Sequence, residues 1–311
     1  MALARAIDHA GAHRSSPRDT ILPSAVLRRI RAVEIKARIL ADEALLGTYR
    51  SVFRGSGLEF EEVREYEAGD DIRSIDWNVT ARMGTPYIKK FREDRELNIF
   101  LAVDSSASSW FGSVAQSKRE LGAEVAALLT LTALKNNDRV GLLRFAKGMQ
   151  EWLPSRRGRE HLLRVIRELL FAEPRRDRTE LSAAARFLTN VTKKRSIVFL
   201  ISDFIDVDID ESVRMLGRKH DVIALALTDP RELELPDVGV VALEDAETGA
   251  TAFLDTSKRR LRAEYAERAM QRRIERRRAL GRMKIDTLEL FTDRPFVPPL
   301  MAFFNARTKR A

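Results

Sequence analysis

The sequence predicts an α/β fold, a doubly wound and mostly parallel sheet with helices on both faces. Three observations predict it. Short continuous apolar runs such as "NIFLAV", "SIVFLIS" and "VIALAL" read as strands buried on both sides, because none alternates strictly between apolar and polar. Segments with apolar residues at three- and four-residue steps lie between them and read as helices. Strands and helices in alternation, joined by right-handed crossovers, place helices on both faces of one sheet.

Composition sets the bounds. A chain of 311 residues can bury a substantial core. It is 44% hydrophobic and 32% charged, with a net charge of +9 that favours anionic partners without choosing among nucleic acid, anionic lipid and acidic protein. The absence of cysteine excludes disulfides, thiolate catalysis and cysteine-based metal centres. The opening "MALARAIDHAGAHRSS" has no apolar core of signal-peptide length, and the longest apolar runs fall far short of a bilayer span. The expectation is a soluble, cytoplasmic protein, with peripheral membrane contact through basic surfaces left open.

Four regions follow along the chain. Residues 1–23 read as a loose tail. Residues 24–95 combine a helix with a β-rich segment. Ile30, Val33, Ala37, Leu40 and Ala44 mark the apolar face of that helix, with Ser24 to cap it and Gly47 to end it. From Tyr49 to Arg95, glycines, aromatics and alternating charge predict short strands and tight turns, with "AGDD" as one turn.

Residues 96–255 carry the α/β pattern. "ELNIFLAVD" reads as a buried strand and "SKRELGAEVAALLTLTALKN" as a helix with a wide apolar face. "DRVGLLRFA" is a strand with "MQEWL" as its hairpin partner; "GREHLLRVIRELL" and "TELSAAARFLTNVTK" are helices. "SIVFLISD", "IDESVRMLGRKH" and "DVIALALTD" read as strand, helix and strand, and "GVVALEDAETGATAFLD" as an antiparallel hairpin. Residues 256–311 form an extension on the body: a basic helix over Ser257–Lys284, a strand in "IDTLELFTD" and a closing segment.

The candidate site is the cluster in "FLAVDSSASSW". Asp104, Ser106 and Ser108 alternate at the end of an apolar strand, where open α/β sheets bind ligands. Asp203 ends another apolar strand in "FLISDF", and Thr179 precedes a helix in "RTELSAAARFL". Carboxylates and hydroxyls are hard oxygen ligands suited to Mg²⁺, or to Mn²⁺ or Ca²⁺, and not to zinc.

This set resembles the metal-ion-dependent adhesion site (MIDAS) of von Willebrand factor A-type domains, with Asp104, Ser106, Ser108, Thr179 and Asp203 at the matching positions. One departure is Arg178 before Thr179, where glycine is common. A second resemblance covers the chain from about residue 25 onward. Gly69-Asp70-Asp71, Ile75-Asp76-Trp77 and Thr80-Ala81-Arg82 resemble the hallmark segment of the bacterial family called domain of unknown function 58, as do "LPDVG", "LEDAETG" and "FTDRPFVPPLMAFF". That resemblance implies an A-type domain and a partnership with a MoxR-type AAA+ ATPase, and brings no catalytic activity. The expected function is therefore a non-enzymatic, metal-dependent adaptor. The ATPase or an acidic client would offer an Asp or Glu to the open position of the metal.

Other readings stay in play. Asp70, Asp71, Arg73, Asp76 and Arg82 either form an ion-pair network docking their segment or face a partner, and Trp77 is expected as a core anchor. The basic helix, with Arg272 and Arg276 among its arginines, suits phosphates, an acidic protein surface or lipid; aromatics for base stacking are nearly absent from it, so nucleic acid is not the first expectation. Metal-dependent phosphoester hydrolysis is the enzymatic alternative. His9, His13, His161 and His220 match no metal spacing, and no P-loop or nucleophile elbow appears.

Overall fold

The computed structural model describes residues 57–94, 97–170, 178–205, 207–246 and 248–310. The expected tail and first helix, over residues 1–47, lie outside the described residues.

The first described unit is a hairpin of β1 (Gly57–Glu65) and β2 (Tyr87–Asp94), paired antiparallel. The "AGDD" turn lies between them, with Gly69 at a φ of 118° that a side chain would disfavour. A 3₁₀ turn at Ile72–Ser74 and a short helix, α1 (Trp77–Met83), follow. The helix was not legible in the pattern of turns and alternating charge. Asp76 nucleates it: its carboxylate accepts the Asn78 N–H at 3.0 Å, and Gly84 closes the last turn at a φ of 78°. Trp77, expected in the core, is 68% exposed. It occupies the first position of a helix that buries none of its residues, so the ring has no core to enter.

The remaining elements are β3 (Asn98–Asp104), α2 (Lys118–Lys135), β4 (Arg139–Ala146), β5 (Gly148–Arg156), α3 (Arg159–Leu170) and α4 (Leu181–Val191). Then come β6 (Ile197–Ser202), α5 (Glu211–Lys219), β7 (Asp221–Thr228), β8 (Val240–Glu244), β9 (Thr251–Asp255), α6 (Arg259–Arg282), β10 (Asp286–Phe291) and α7 (Val297–Thr308). Six strands form the main sheet in the order β10-β7-β6-β3-β4-β5. All neighbours are parallel except β5, which pairs antiparallel with β4 as the expected hairpin partner. β8 and β9 form the expected separate hairpin.

Successive strand residues feed opposite faces. Ile99, Leu101 and Val103 pack with Leu121, Val125 and Leu128 of α2, Leu162 and Val165 of α3, and Leu300 and Phe304 of α7. Phe100 and Ala102 pack with Leu181 and Ala185 of α4, Val213 and Leu216 of α5, and Leu280 of α6. Each fully buried side chain of this size contributes about 1.5–3 kcal/mol relative to exposure, which is why the strands carry no polar alternation. Ser117 starts α2 with a reciprocal capping box to Glu120.

A boundary at residue 255 cuts through this sheet. β10 pairs with β7 over Asp286–Phe291, so the sixth strand comes from beyond it. The segment from 256 onward completes the α/β domain: β10 covers the side of β7, and α7 closes one face with Phe304 edge-on to Phe199. Among the described residues no helix is long and apolar enough to cross a membrane.

Two tests follow from this packing. Gly141 of β4 lies under the Phe100 ring, and a β-carbon there would meet ring carbons at 2.6 and 2.7 Å. Gly141→Ala should lower unfolding free energy by about 1–3 kcal/mol in urea titration; an unchanged midpoint would show that the ring moves freely aside. His220 is buried and accepts the Ser196 N–H on Nδ1, and burial, aided by the charges of Lys219 and Arg195, pushes its pKa down to about 4. The unfolded chain takes up this proton near the ordinary histidine value and the fold resists it, so stability falls as pH drops from about 6.5 to 4, by roughly 3 kcal/mol. His220→Gln should flatten that part of the stability–pH curve measured by denaturant titration.

Candidate metal-binding site at the carboxyl end of the sheet

From β3 the chain builds outward through β4 and β5, then returns to lay β6 on the other side of β3. Strand order reverses between β3 and β6, and the candidate ligands sit at the carboxyl ends of these two strands. Asp104 ends β3 and is level with Ser202 of β6, because Val103 pairs with Ile201.

Four of the five predicted ligands are joined by hydrogen bonds, and Asp203 lines one small cavity with Asp104. One Asp104 oxygen accepts the Thr179 hydroxyl at 3.0 Å and the Ser202 hydroxyl at 2.6 Å. Its other oxygen accepts the Ser106 N–H at 2.9 Å, and the Ser106 and Ser108 hydroxyls are 3.0 Å apart. The Thr179 loop is anchored by the Glu180 N–H on the Ala146 carbonyl at 2.8 Å, so Arg178 in place of glycine does not prevent the approach. Asp203 follows β6, with one oxygen accepting the Ile205 N–H at 3.1 Å. Directly after it, Phe204 takes a left-handed φ of 52°, rare for a bulky residue. Its N–H donates to Ser202 Oγ at 3.0 Å and its ring is buried, which together hold that strained turn.

Burial, and secondarily the charge of Asp203, raises the Asp104 pKa to about 6. Both carboxyl groups line one small, poorly solvated cavity, where their like charges oppose each other. The set of two carboxylates and three hydroxyls fits a hard divalent cation, which would relieve that repulsion. Among the described residues, no group of three or more His, Cys, Asp or Glu is placed to hold a metal, so the hydroxyls are indispensable to any such site.

The sequence reading missed three residues. Lys118, the first residue of α2, is 1% exposed, and its ammonium donates to Asp203 at 2.6 Å and to Glu232. Burial opposes its charge, but Asp203 and Glu232 outweigh that and hold its pKa above the usual lysine value. The only sequence signal was a lysine opening a helix with a wide apolar face. Glu232 belongs to a 3₁₀ turn, Pro230–Glu232, capped by Asp229. Asp229, fully buried after β7, accepts the Ser113 N–H at 2.8 Å and the Thr292 hydroxyl at 3.0 Å, tying the loop beyond Ser108 to the end of β10. Asp104, Lys118 and Asp203 line the polar side of a cavity of about 20 Å³, room for one water-sized occupant.

The residues expected to face a partner divide. Arg276 is turned inward: it donates to the Asp203 carbonyl and to Glu289, both at 2.8 Å, and joins α6 to β6 and β10. Arg272 is exposed. Asp70 accepts from Arg64 at 2.7 Å, Asp71 caps the 3₁₀ turn through the Arg73 N–H at 2.9 Å, and Asp76 caps α1. These acids shape local turns; Arg73 and Arg82 are exposed.

Comparison with known proteins gives a consistent family match. The family model described as "Protein of unknown function DUF58" matches residues 62–275. An uncharacterized protein of Mycobacterium tuberculosis is 33% identical over 286 residues, covering 91% of this chain and 90% of the relative. Among solved structures, the conserved hypothetical protein BatB from Bacteroides thetaiotaomicron is 15% identical, covering 69% of this chain and 100% of that one, with a TM-score of 0.44. The SpRpn10 VWA domain is 8% identical, covering 70% and 95%, with a TM-score of 0.36.

The ion cluster yields a stability test. Lys118→Ala leaves Asp203 and Glu232 buried without their shared cation, and should cost about 3–5 kcal/mol of unfolding free energy. A loss below about 1 kcal/mol in denaturant titration, within the usual range for exposed ion pairs, would show that water compensates these carboxylates.

Proposed function

The chain belongs to the DUF58 family, and from that premise we propose that it is a non-enzymatic, cytoplasmic protein-binding adaptor that grips an acidic residue of its partner through a divalent cation. The observation that supports this reading is the hydrogen-bonded cluster of Asp104, Ser106, Ser108 and Thr179 at the switch point of the sheet, with Asp203 lining the same cavity as Asp104. Mg²⁺ is the first candidate, with Mn²⁺ and Ca²⁺ as alternatives. Held there, it supplies a coordination position that a partner's carboxylate can complete.

The chain's own residues prepare that contact. Ser202 and the Ser106 N–H orient Asp104, while Lys118 and the Ile205 N–H hold the Asp203 carboxylate. Ser106 and Ser108 present hydroxyls from one loop and Thr179 from another, so the hydroxyls are held by two separate loops. Hard cations favour a carboxylate over a neutral amide, which selects an Asp or Glu on the partner. The MoxR-type AAA+ ATPase, or an acidic client it remodels, is the proposed partner, on the strength of the family resemblance. The non-catalytic assignment draws support from the described histidines. His161 bonds the Val140 carbonyl near the start of β4, and His220 the Ser196 N–H before β6, both at the opposite end of the sheet.

A second reading is favoured by α6. Arg259, Arg268, Arg272, Arg277, Arg278 and Arg282 are exposed along it, and only Ala269 and Leu280 are buried. That basic surface suits nucleic acid or another polyanion.

One experiment separates the two. The full-length protein is used as bait in Mg²⁺, in EDTA and as Asp104→Ala, with bound proteins identified by mass spectrometry and nucleic acid assayed. Retention of an AAA+ ATPase only by the unmutated bait in Mg²⁺ is the expected result. Retention indifferent to EDTA and to the mutation, or recovery of nucleic acid alone with steep salt dependence, would transfer the function to α6.

A further inference from the structure

Lys118 stands out among the charged side chains around the site because it brings a positive charge to where a cation is expected. Its ammonium lies 2.6 Å from one Asp203 oxygen, while the other oxygen already accepts the Ile205 N–H. Asp104 has no such neighbour: its bonds come from the hydroxyls of Ser202 and Thr179 and the N–H of Ser106. The two carboxylates that would share a divalent ion are therefore unequal.

We infer that Lys118 is a tethered internal counter-ion that competes with a divalent cation for Asp203. This inference rests on the metal-site reading above and deepens it. The ammonium cannot drift away, because Glu232 holds it from the far side and the Asp229 N–H in turn fixes Glu232 at 3.0 Å. α2 leaves it no other direction, since Leu121, Gly122 and Val125 pack into the core behind it. The consequence is a site that keeps its shape without metal and binds metal weakly, mainly through Asp104 and the three hydroxyls. Full engagement of Asp203 requires the ammonium to swing toward Glu232. A partner that contacts the 230–232 turn would then tighten or loosen the metal through this one lysine.

The test is Mn²⁺ affinity, read by electron paramagnetic resonance of the free ion, at constant pH and ionic strength. Wild type is compared with Lys118→Met and with Lys118→Met/Glu232→Gln. The double variant removes one charge of each sign, so it keeps the local net charge while freeing Asp203. Circular dichroism checks folding, and the double variant serves if the single one does not fold. The expected result is Mn²⁺ binding at least tenfold tighter in either variant than in wild type, with a larger Mn²⁺-induced rise in Tm. Tight binding by the variants and none by wild type supports the inference equally. Wild-type binding that the variants do not improve overturns the counter-ion role, reduces Lys118 to a structural tether and leaves the metal site standing. Absence of Mn²⁺ binding in all three proteins overturns the inference and the metal-site reading together.

Discussion

Lys118 carries a positive charge into a place that is 1% exposed, at the point where α2 leaves the loop after β3. Desolvating one ammonium costs several kcal/mol, and only close carboxylates offset it. Asp203 and Glu232 provide them from the loops after β6 and β7. Three chain segments far apart in sequence are thereby brought to one point. The ammonium must keep at least one of these carboxylates, because losing both leaves a buried charge alone.

The layers below make that point rigid. Strands β3, β4, β6 and β7 send side chains into two cores, one under α2, α3 and α7 and the other under α4, α5 and the end of α6. Interiors packed in this way transmit displacement poorly as gradual deformation. The ends of β3 and β6 therefore hold Asp104 and Asp203 in fixed register, and the loops beyond them inherit that register. The strained Phe204 turn persists because its ring is buried and its N–H is bonded.

The C-terminal segment enters the same network from outside. α6 looks like a solvated basic helix along most of its length, yet Arg276 reaches through to the Asp203 carbonyl and shares Glu289 with Arg273. β10 supplies both Glu289 and, just beyond its end, Thr292, which bonds Asp229. A segment that resembles an appendage thus buttresses the candidate site through one arginine, one glutamate and one threonine. The exposed arginines of α6 form a basic surface, and any electrostatic steering by it would weaken as salt rises.

The apolar runs and their spacing determined the α/β class and the order of strands and helices from β3 to β9. Those signals are local, set by which side chains must leave water. The cluster of Asp104, Ser106, Ser108 and Thr179 was also legible, because these residues lie at a strand end or just before a helix, and such positions gather at the carboxyl edge of an α/β sheet. The sequence did not show that β10 belongs to the sheet, since pairing with β7 is a long-range choice that no local pattern encodes. It also placed Trp77 inside, reading an aromatic as core where the short helix α1 offers no buried face. Lys118, Glu232 and the inward Arg276 were invisible for the same reason. A charged residue reads as surface until the fold brings a counter-charge within hydrogen-bonding distance, and that distance exists only in the tertiary structure.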